Sequence, residues 1–247
     1  MSLTSIFQRR QSFSTSRSHV YSYIHVQSTN SERPTLLLLH GFPSHASDWI
    51  YQIEHFSSLG YGILAPDLLG YGQTSKPRNA DAYRLKRMSN DLIELLDYVN
   101  LEKVIGIGHD FGSTLLSRFA AYYPEHLSAC VFLAVGPPRL GTPFNVDAIN
   151  SMTKEQLGYE MLGYVPFISR GPDSESIMEK NAKCVMSLLF CADEKREWRH
   201  HFRPLGAFEK FVVEDKCVDI GKWFSPGLQE AHLDAFAKAG GFAGAQG

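Results

Sequence analysis

The sequence has little cysteine and no long hydrophobic run. Its four cysteines, Cys130, Cys184, Cys191 and Cys217, form no C-x-x-C pair in 247 residues. That spacing gives no zinc-ribbon or thioredoxin-type motif and favours buried thiols in a reducing compartment. Cys130 belongs to an apolar, strand-like run, and Cys184 and Cys191 are expected on one face of a helix. No apolar stretch reaches transmembrane length and no signal-peptide core is present, so no membrane span is expected. Neither sign of charge is in excess: 24 basic and 26 acidic residues leave a formal net charge of -2. This balance excludes the basic footprint of a nucleic-acid or anionic-membrane binder. Internal repeats and low-complexity tracts are absent. The His200-His201 pair lacks the spacing of a metal motif, and no cofactor is expected. The chain closes on Ala-Gln-Gly, which is no peroxisomal or ER-retention tripeptide. A cytoplasmic location is expected, with a peroxisomal one as the alternative.

Acidic residues are missing from the start of the chain. The first is Glu32, and "FQRRQSFSTSRSHV" before it is rich in Arg and Ser. That composition is shared by transit peptides and by exposed tails. It is read here as a tail leading into a first strand, "VYSYIHV".

What is present is a β/α rhythm. The runs "TLLLLH" (35–40), "YGILAPDL" (61–68), "KVIGIGHD" (103–110) and "ACVFLAV" (129–135) are continuously apolar rather than alternating. Continuous apolarity suits parallel strands buried on both faces. Leu85, Met88, Leu92, Leu95, Leu96 and Val99 fall at helical steps, as do Leu115, Leu116, Phe119, Ala120 and Tyr123 before Pro124. Strands alternating with helices predict an α/β sheet with right-handed crossovers. After Val135 the rhythm changes. "GPPRLGTPF" is a Gly/Pro break, and residues 145–240 read as helices and loops. Two regions are expected: a core over residues 1–137 and a helical region over 138–247.

Chemistry is expected at the strand ends. In "GHDFG" (108–112) two glycines flank Asp110 at a strand-to-helix junction. That is the small-x-nucleophile-x-small pattern of a nucleophile elbow. An aspartate at this position also suits a helix N-cap, so the pentapeptide alone leaves two readings. An earlier strand ends in "HGFP" (40–43), and "PDLLGYGQTSKP" (66–77) follows the next. Both loops in order, on successive strands, favour the elbow.

These motifs, H40-G-F-P43, D67-L-L-G-Y-G-Q-T-S75 and G108-H-D-F-G112, resemble the α/β-hydrolase superfamily in its epoxide hydrolase branch. The resemblance runs from about residue 20 to the end of the chain. "QLGYEMLGYVPF" (156–167) resembles the start of that branch's helical cap, and "FAKAGGFAG" (236–244) its end. The chain is also similar to cap-bearing hydrolases of fungal secondary metabolism, including those of epoxide-containing toxin pathways. The resemblance implies an α/β-hydrolase core with a mostly parallel sheet plus a helical cap, acting on a small lipophilic substrate. It implies that Asp110 attacks an epoxide carbon to form an ester, and that the Phe42 and Phe111 N–H groups form the oxyanion hole. Tyr159 matches a cap tyrosine that hydrogen-bonds the epoxide oxygen; a core aromatic is the other reading. At the second such position the matching stretch, "EAHLDAFAKAG", offers His232 or Leu233. Tyr159, Tyr164, Phe167, Phe190 and Trp198 read as an apolar lining or as core.

A haloalkane dehalogenase would use the same aspartate with an Asn and a Trp cradling halide; Phe42 and Phe111 stand there instead. Family order is nucleophile, acid, histidine, the last two after core strands that follow the cap. The sequence ends at Gly247, directly after "GGFAG". The resemblance therefore implies a C-terminally truncated core, without that acid and histidine. His40, His109, His126, His200, His201 and His232, and Asp147, Asp173 and Asp215, are expected to be packing or surface residues rather than substitutes. The shortened sheet is expected to expose an edge that a homodimer would cover.

Overall fold

The computed structural model describes residues 9–137, 141, 144–171, 173–237 and 240–242. Parts of the Gly/Pro break after Val135 and of "FAKAGGFAG", and the closing Ala-Gln-Gly, lie outside the described residues. The chain divides into two compact units at residues 140 and 141.

The first unit is a six-stranded sheet with helices, in the order β1-β2-β4-β3-β5-β6. The strands are β1 (Arg10–Ser14), β2 (Val20–Val26), β3 (Thr35–Leu39), β4 (Gly62–Pro66), β5 (Val104–His109) and β6 (Leu127–Leu133). β4, β3, β5 and β6 run parallel, and β1 and β2 add an antiparallel hairpin. The α-helices are α1 (Ile50–Ser58), α2 (Leu85–Tyr98) and α3 (Phe111–Tyr122). β3 and β4 are buried along their whole length, as continuous apolar runs require. The predicted apolar stripe of α2 is its inner face, with Met88, Leu92, Leu95 and Leu96 buried. In α3 the buried residues include Leu115, Leu116 and Phe119.

Two expectations change. The arginine-rich opening is not a tail throughout, because Arg10–Ser14 pairs with Val20–Ile24 as β1. Its arginines are counter-ions for buried acids. Arg10 Nη1 donates to Asp67 Oδ2 at 2.6 Å and Arg17 Nη2 to Asp91 Oδ2 at 2.5 Å, and both carboxylates are fully buried. A buried carboxylate requires a paired cation, so the basic segment is drawn into the sheet. The second change is at β6. It starts two residues earlier than expected and is mostly exposed rather than buried on both faces. Among the described residues it is the last strand of the sheet, supported there by β5 alone.

The second unit is helical: α4 (Val146–Leu157), α5 (Val165–Arg170), α6 (Ser174–Lys180), α7 (Ala182–Leu189), α8 (Glu194–Glu197), a π-helical turn (Trp198–Phe202), α9 (Ala207–Val213) and α10 (Pro226–Phe236). Asn145 caps α4 by accepting from the Ala148 N–H, and Gly158 ends it in a left-handed conformation. Ser225 caps α10, with Pro226 in its first turn. Most of the aromatics expected as lining or core pack on other aromatic rings. Tyr164 stacks on Phe202 at 4.1 Å, Phe190 on Phe224 at 4.0 Å, and Phe167 is buried edge-on to Phe208. The Trp198 indole N–H donates to the Leu188 carbonyl at 2.8 Å.

The cysteines depart from expectation. Cys184 and Cys191 are buried, but Cys130 and Cys217 are exposed. Nor do Cys184 and Cys191 share a helix face. α7 ends at Leu189, and Cys191 instead bridges Ile220 in extended backbone.

Candidate active site

The strand order of the first unit places the site. β3 and β5 are neighbours, in register from Thr35–Val104 to Leu39–Gly108. The loops after both strands therefore leave the sheet side by side at its C-terminal edge, where α/β sheets bind ligands.

Asp110 lies between β5 and α3 with φ 52° and ψ -119°, a conformation disfavoured for a residue with a side chain. The glycines make the turn possible. A Cβ at Gly108 would lie 2.5 Å from the Gly112 carbonyl oxygen, and one at Gly112 would lie 2.2 Å from the Leu39 carbonyl oxygen. Ser113 braces the turn by donating from its hydroxyl to the Gly108 carbonyl at 2.7 Å. The Asp110 N–H reaches β6 at the Leu133 carbonyl. Asp110 stands at the N-cap position of α3, yet its side chain makes no capping hydrogen bond. The carboxylate turns instead to the β3 loop, where Oδ1 accepts from the Phe42 N–H at 3.1 Å. Gly41 permits this approach, since a Cβ there would lie 2.5 Å from Asp110 Cβ. Asp110 and Phe42, which the family resemblance names, are thus brought together. Phe111 opens α3, so its N–H is a first-turn amide that the helix does not use.

The loop after β4 supports this arrangement through residues whose roles the motif alone does not specify. Asp67 is fully buried and accepts from the Ala46 N–H at 2.8 Å, the Gln73 N–H at 2.9 Å and Arg10. Burial alone would raise its pKa. The charges of Arg10 and His45, with these hydrogen bonds, outweigh burial and hold the carboxyl below its ordinary value. Gly72 has φ 51° and faces Asp67 so closely that a Cβ would lie 2.2 Å from its Oδ2. Thr74 and Ser75 tie the loop to β2, accepting from the Ser22 and Val20 N–H groups.

His40 is buried and spoken for. Its Nε2 accepts from the Leu68 N–H at 2.9 Å, and its Nδ1 lies 2.9 Å from the Gly41 carbonyl, to which it donates. One nitrogen accepting and one donating defines the neutral ring. Burial holds its pKa below the ordinary value, against the pull of Asp67. His40 therefore joins the β3 and β4 loops and is no base. Tyr71, which no motif marks as functional, packs edge-on against His40 with centroids 5.2 Å apart. Burial first, then the charge of Asp110, raises its phenol far above the ordinary value. Its hydroxyl thus stays protonated within the field of the candidate nucleophile.

The other histidines and acids have local roles. His109 is exposed at the end of β5, and His126 reaches the Glu102 carbonyl after α3. His200 is exposed, His201 pairs with Glu197, and His232 is buried among Phe190, Phe224 and Phe236. Asp147 pairs with Arg170, Asp173 precedes α6 in a left-handed conformation, and Asp215 accepts from Cys184. Tyr159, in the second unit, is half-buried. Its oxygen accepts from Arg203 Nη1 at 3.4 Å, and the Arg199 guanidinium lies 5.4 Å from its ring centroid.

Comparison with known proteins gives this geometry a context. A family model described as alpha/beta hydrolase fold matches residues 34–202. Epoxide hydrolase 3 of Siraitia grosvenorii is 40% identical over 102 residues, covering 41% of this chain and 32% of that protein. Bifunctional epoxide hydrolase 2 of Sus scrofa is 35% identical over 209 residues, covering 84% of this chain and 36% of that protein. The chain thus spans about a third of the length of these curated relatives. Among solved structures, Epoxide Hydrolase A from Mycobacterium thermoresistibile superposes with a TM-score of 0.75 at 23% identity, over 96% of this chain and 73% of that one.

Proposed function

The chain belongs to the α/β-hydrolase fold family, and on that premise we propose that it opens a small lipophilic epoxide by nucleophilic attack of Asp110. The observation that carries this reading is the Asp110 carboxylate on its glycine-flanked turn, accepting from the Phe42 N–H at 3.1 Å. That bond engages Oδ1 and leaves Oδ2 to attack. A bond forms from Oδ2 to an epoxide carbon, the carbon–oxygen bond of the ring breaks, and the oxygen leaves as an alkoxide. Tyr159 is assigned the role of donating a proton to that oxygen. Its place in "QLGYEML" supports this, as does its acceptance of a hydrogen bond from Arg203, which leaves its own O–H to donate. The product is a hydroxyalkyl ester of Asp110.

Release of that ester requires water, a base, and donors for the oxyanion. The Phe42 and Phe111 N–H groups are assigned to the oxyanion. Among the described residues of the first unit no histidine hydrogen-bonds Asp110. His40 is neutral and committed to both loops. This chain by itself is therefore proposed to capture an epoxide faster than it releases a diol. A substrate from fungal secondary metabolism, with the second unit as cap, is assigned on the resemblance of the sequence motifs alone. A cytoplasmic location is assigned with it, and no helix among the described residues is long and apolar enough to cross a membrane. The partner assigned is a second copy of the chain, paired through the exposed, uncharged edge of β6.

The test is intact-mass spectrometry after incubation with styrene oxide. An adduct of the epoxide's mass is expected in the parent chain and absent in Asp110→Ala. Rapid diol formation would overturn the capture-only reading. Absence of both adduct and diol would favour a non-catalytic homologue. Bromide release from a haloalkane would favour a dehalogenase.

A further inference from the structure

The second unit holds two thiols that the proposed chemistry does not use. Cys184 sits in α7 with only 1% of its surface exposed. Its thiol donates to Asp215 Oδ1 at 3.1 Å, and Cys217 stands two residues after that partner. Cys217 is exposed. Two further features hold the segment carrying Cys217 along α7. Asp215 takes a left-handed backbone, φ 52°, just after the end of α9. The Val218 N–H then donates to Ser187 Oγ at 3.1 Å, about one helical turn beyond Cys184. The bonds at Asp215 and Val218, on either side of Cys217, therefore hold an exposed thiol alongside the helix that carries a buried one.

We propose that Cys184 and Cys217 form a redox-sensitive dithiol that closes to an intrachain disulfide when the protein meets a peroxide. Exposed Cys217 reacts first. Its thiolate attacks one peroxide oxygen, the O–O bond breaks, and Cys217 becomes a sulfenic acid as hydroxide leaves and takes a proton. Sγ of Cys184 then attacks the Cys217 sulfur, the S–O bond breaks, and the hydroxyl leaves as water. The proton it needs comes from the Cys184 thiol, with Asp215 placed to pass it on. In sum, two thiols lose two electrons and two protons, and hydrogen peroxide becomes two waters. Burial, then the neighbouring Cys217 and Asp215, push the Cys184 thiol well above its ordinary pKa. It therefore waits as a thiol until Cys217 is oxidised, and that order protects the buried position. Cys130 is exposed on β6, in the first unit, and takes no part in this pair.

The experiment treats the folded full chain with hydrogen peroxide, alkylates the remaining thiols in denaturant, and maps unreduced peptides by mass spectrometry. A Cys184–Cys217 cross-linked peptide is expected, together with two fewer alkylated cysteines, both reversed by dithiothreitol. The unfolding temperature should rise by several degrees on oxidation, because the bond closes a long loop. That rise should vanish in Cys217→Ser, an exposed substitution. Sulfinic or sulfonic acid at Cys217 with Cys184 still fully alkylated would overturn the proposal. So would disulfides formed only between Cys130 residues of two chains. The mapping is done on the unsubstituted chain and does not depend on whether a variant folds.

Discussion

The Phe42 amide and the Asp110 carboxylate meet at 3.1 Å although 68 positions separate them in the sequence. β3 and β5 are adjacent and in register, so the loop after one strand caps the turn after the other. This contact is the centre of the proposed chemistry, and the first prediction attacks it.

Gly41→Ala places a Cβ 2.5 Å from Asp110 Cβ and 2.6 Å from Oδ1. Either the loop or the carboxylate must move, and the Phe42 bond is lost. Adduct formation with styrene oxide is expected to slow by about 100-fold, the scale of misplacing a reacting group by about 1 Å. Overpacking should also lower stability by about 1–3 kcal/mol. Adduct kinetics and thermal unfolding read the two effects separately; unchanged kinetics would show that the Phe42 bond is idle.

Tyr71→Phe removes a hydroxyl kept protonated beside the Asp110 charge. The ring and its edge contact with His40 stay. A modest slowing of adduct formation is expected, because the Asp110 charge loses a nearby polar hydroxyl. The unfolding temperature should stay nearly constant. A large stability loss without a kinetic effect would make Tyr71 a packing residue.

Arg10→Met strips the buried Asp67 carboxylate of its main counter-charge. A cost of about 3–5 kcal/mol is expected at neutral pH. The pH response has a definite sign. The folded-state pKa of Asp67 is depressed, so its contribution is present above the unfolded value, about 3.9, and is lost as pH falls through the folded value. Without Arg10 the burial penalty gains weight, the folded pKa rises, and acid unfolding should begin at a higher pH. Circular dichroism across an acid titration measures this, and an unmoved midpoint would contradict it.

Val131→Lys puts a charge on the exposed β6, where Val131 is 40% and Leu133 38% exposed. The parent chain is expected to be dimeric in light scattering and the variant monomeric, because an edge lysine blocks strand pairing. Thermal unfolding at low protein concentration should change little. A monomeric parent at high concentration would remove the assigned partner.

Much of this molecule is written in local sequence. The continuous apolarity of Thr35–Leu39 and Gly62–Pro66 needs burial on both faces, and the structure buries both strands. The helical stripe from Met88 to Leu96 needs a core to face, and α2 supplies it. "GHDFG" specifies its turn through glycines that nothing larger can replace, since neighbouring backbone fills the space of a Cβ. Each of these depends on a few adjacent residues.

Other features depend on what lies across the fold. Arg10 and Arg17 look like solvent-exposed charge until Asp67 and Asp91, buried far along the chain, claim them as counter-ions. Cys130 and its neighbours read as buried until the strand order leaves β6 with a single partner. Cys184 and Cys217 share no motif, yet the Val218–Ser187 bond and the turn at Asp215 bring them together. The sequence by itself determined the buried strands, the two amphipathic helices beside them and the glycine-flanked turn, because backbone sterics and hydrophobic periodicity act over a few residues. Only the tertiary structure decided which charges pair, which edge stays open and which thiols meet, because those outcomes require groups distant in the chain to share one low-dielectric space.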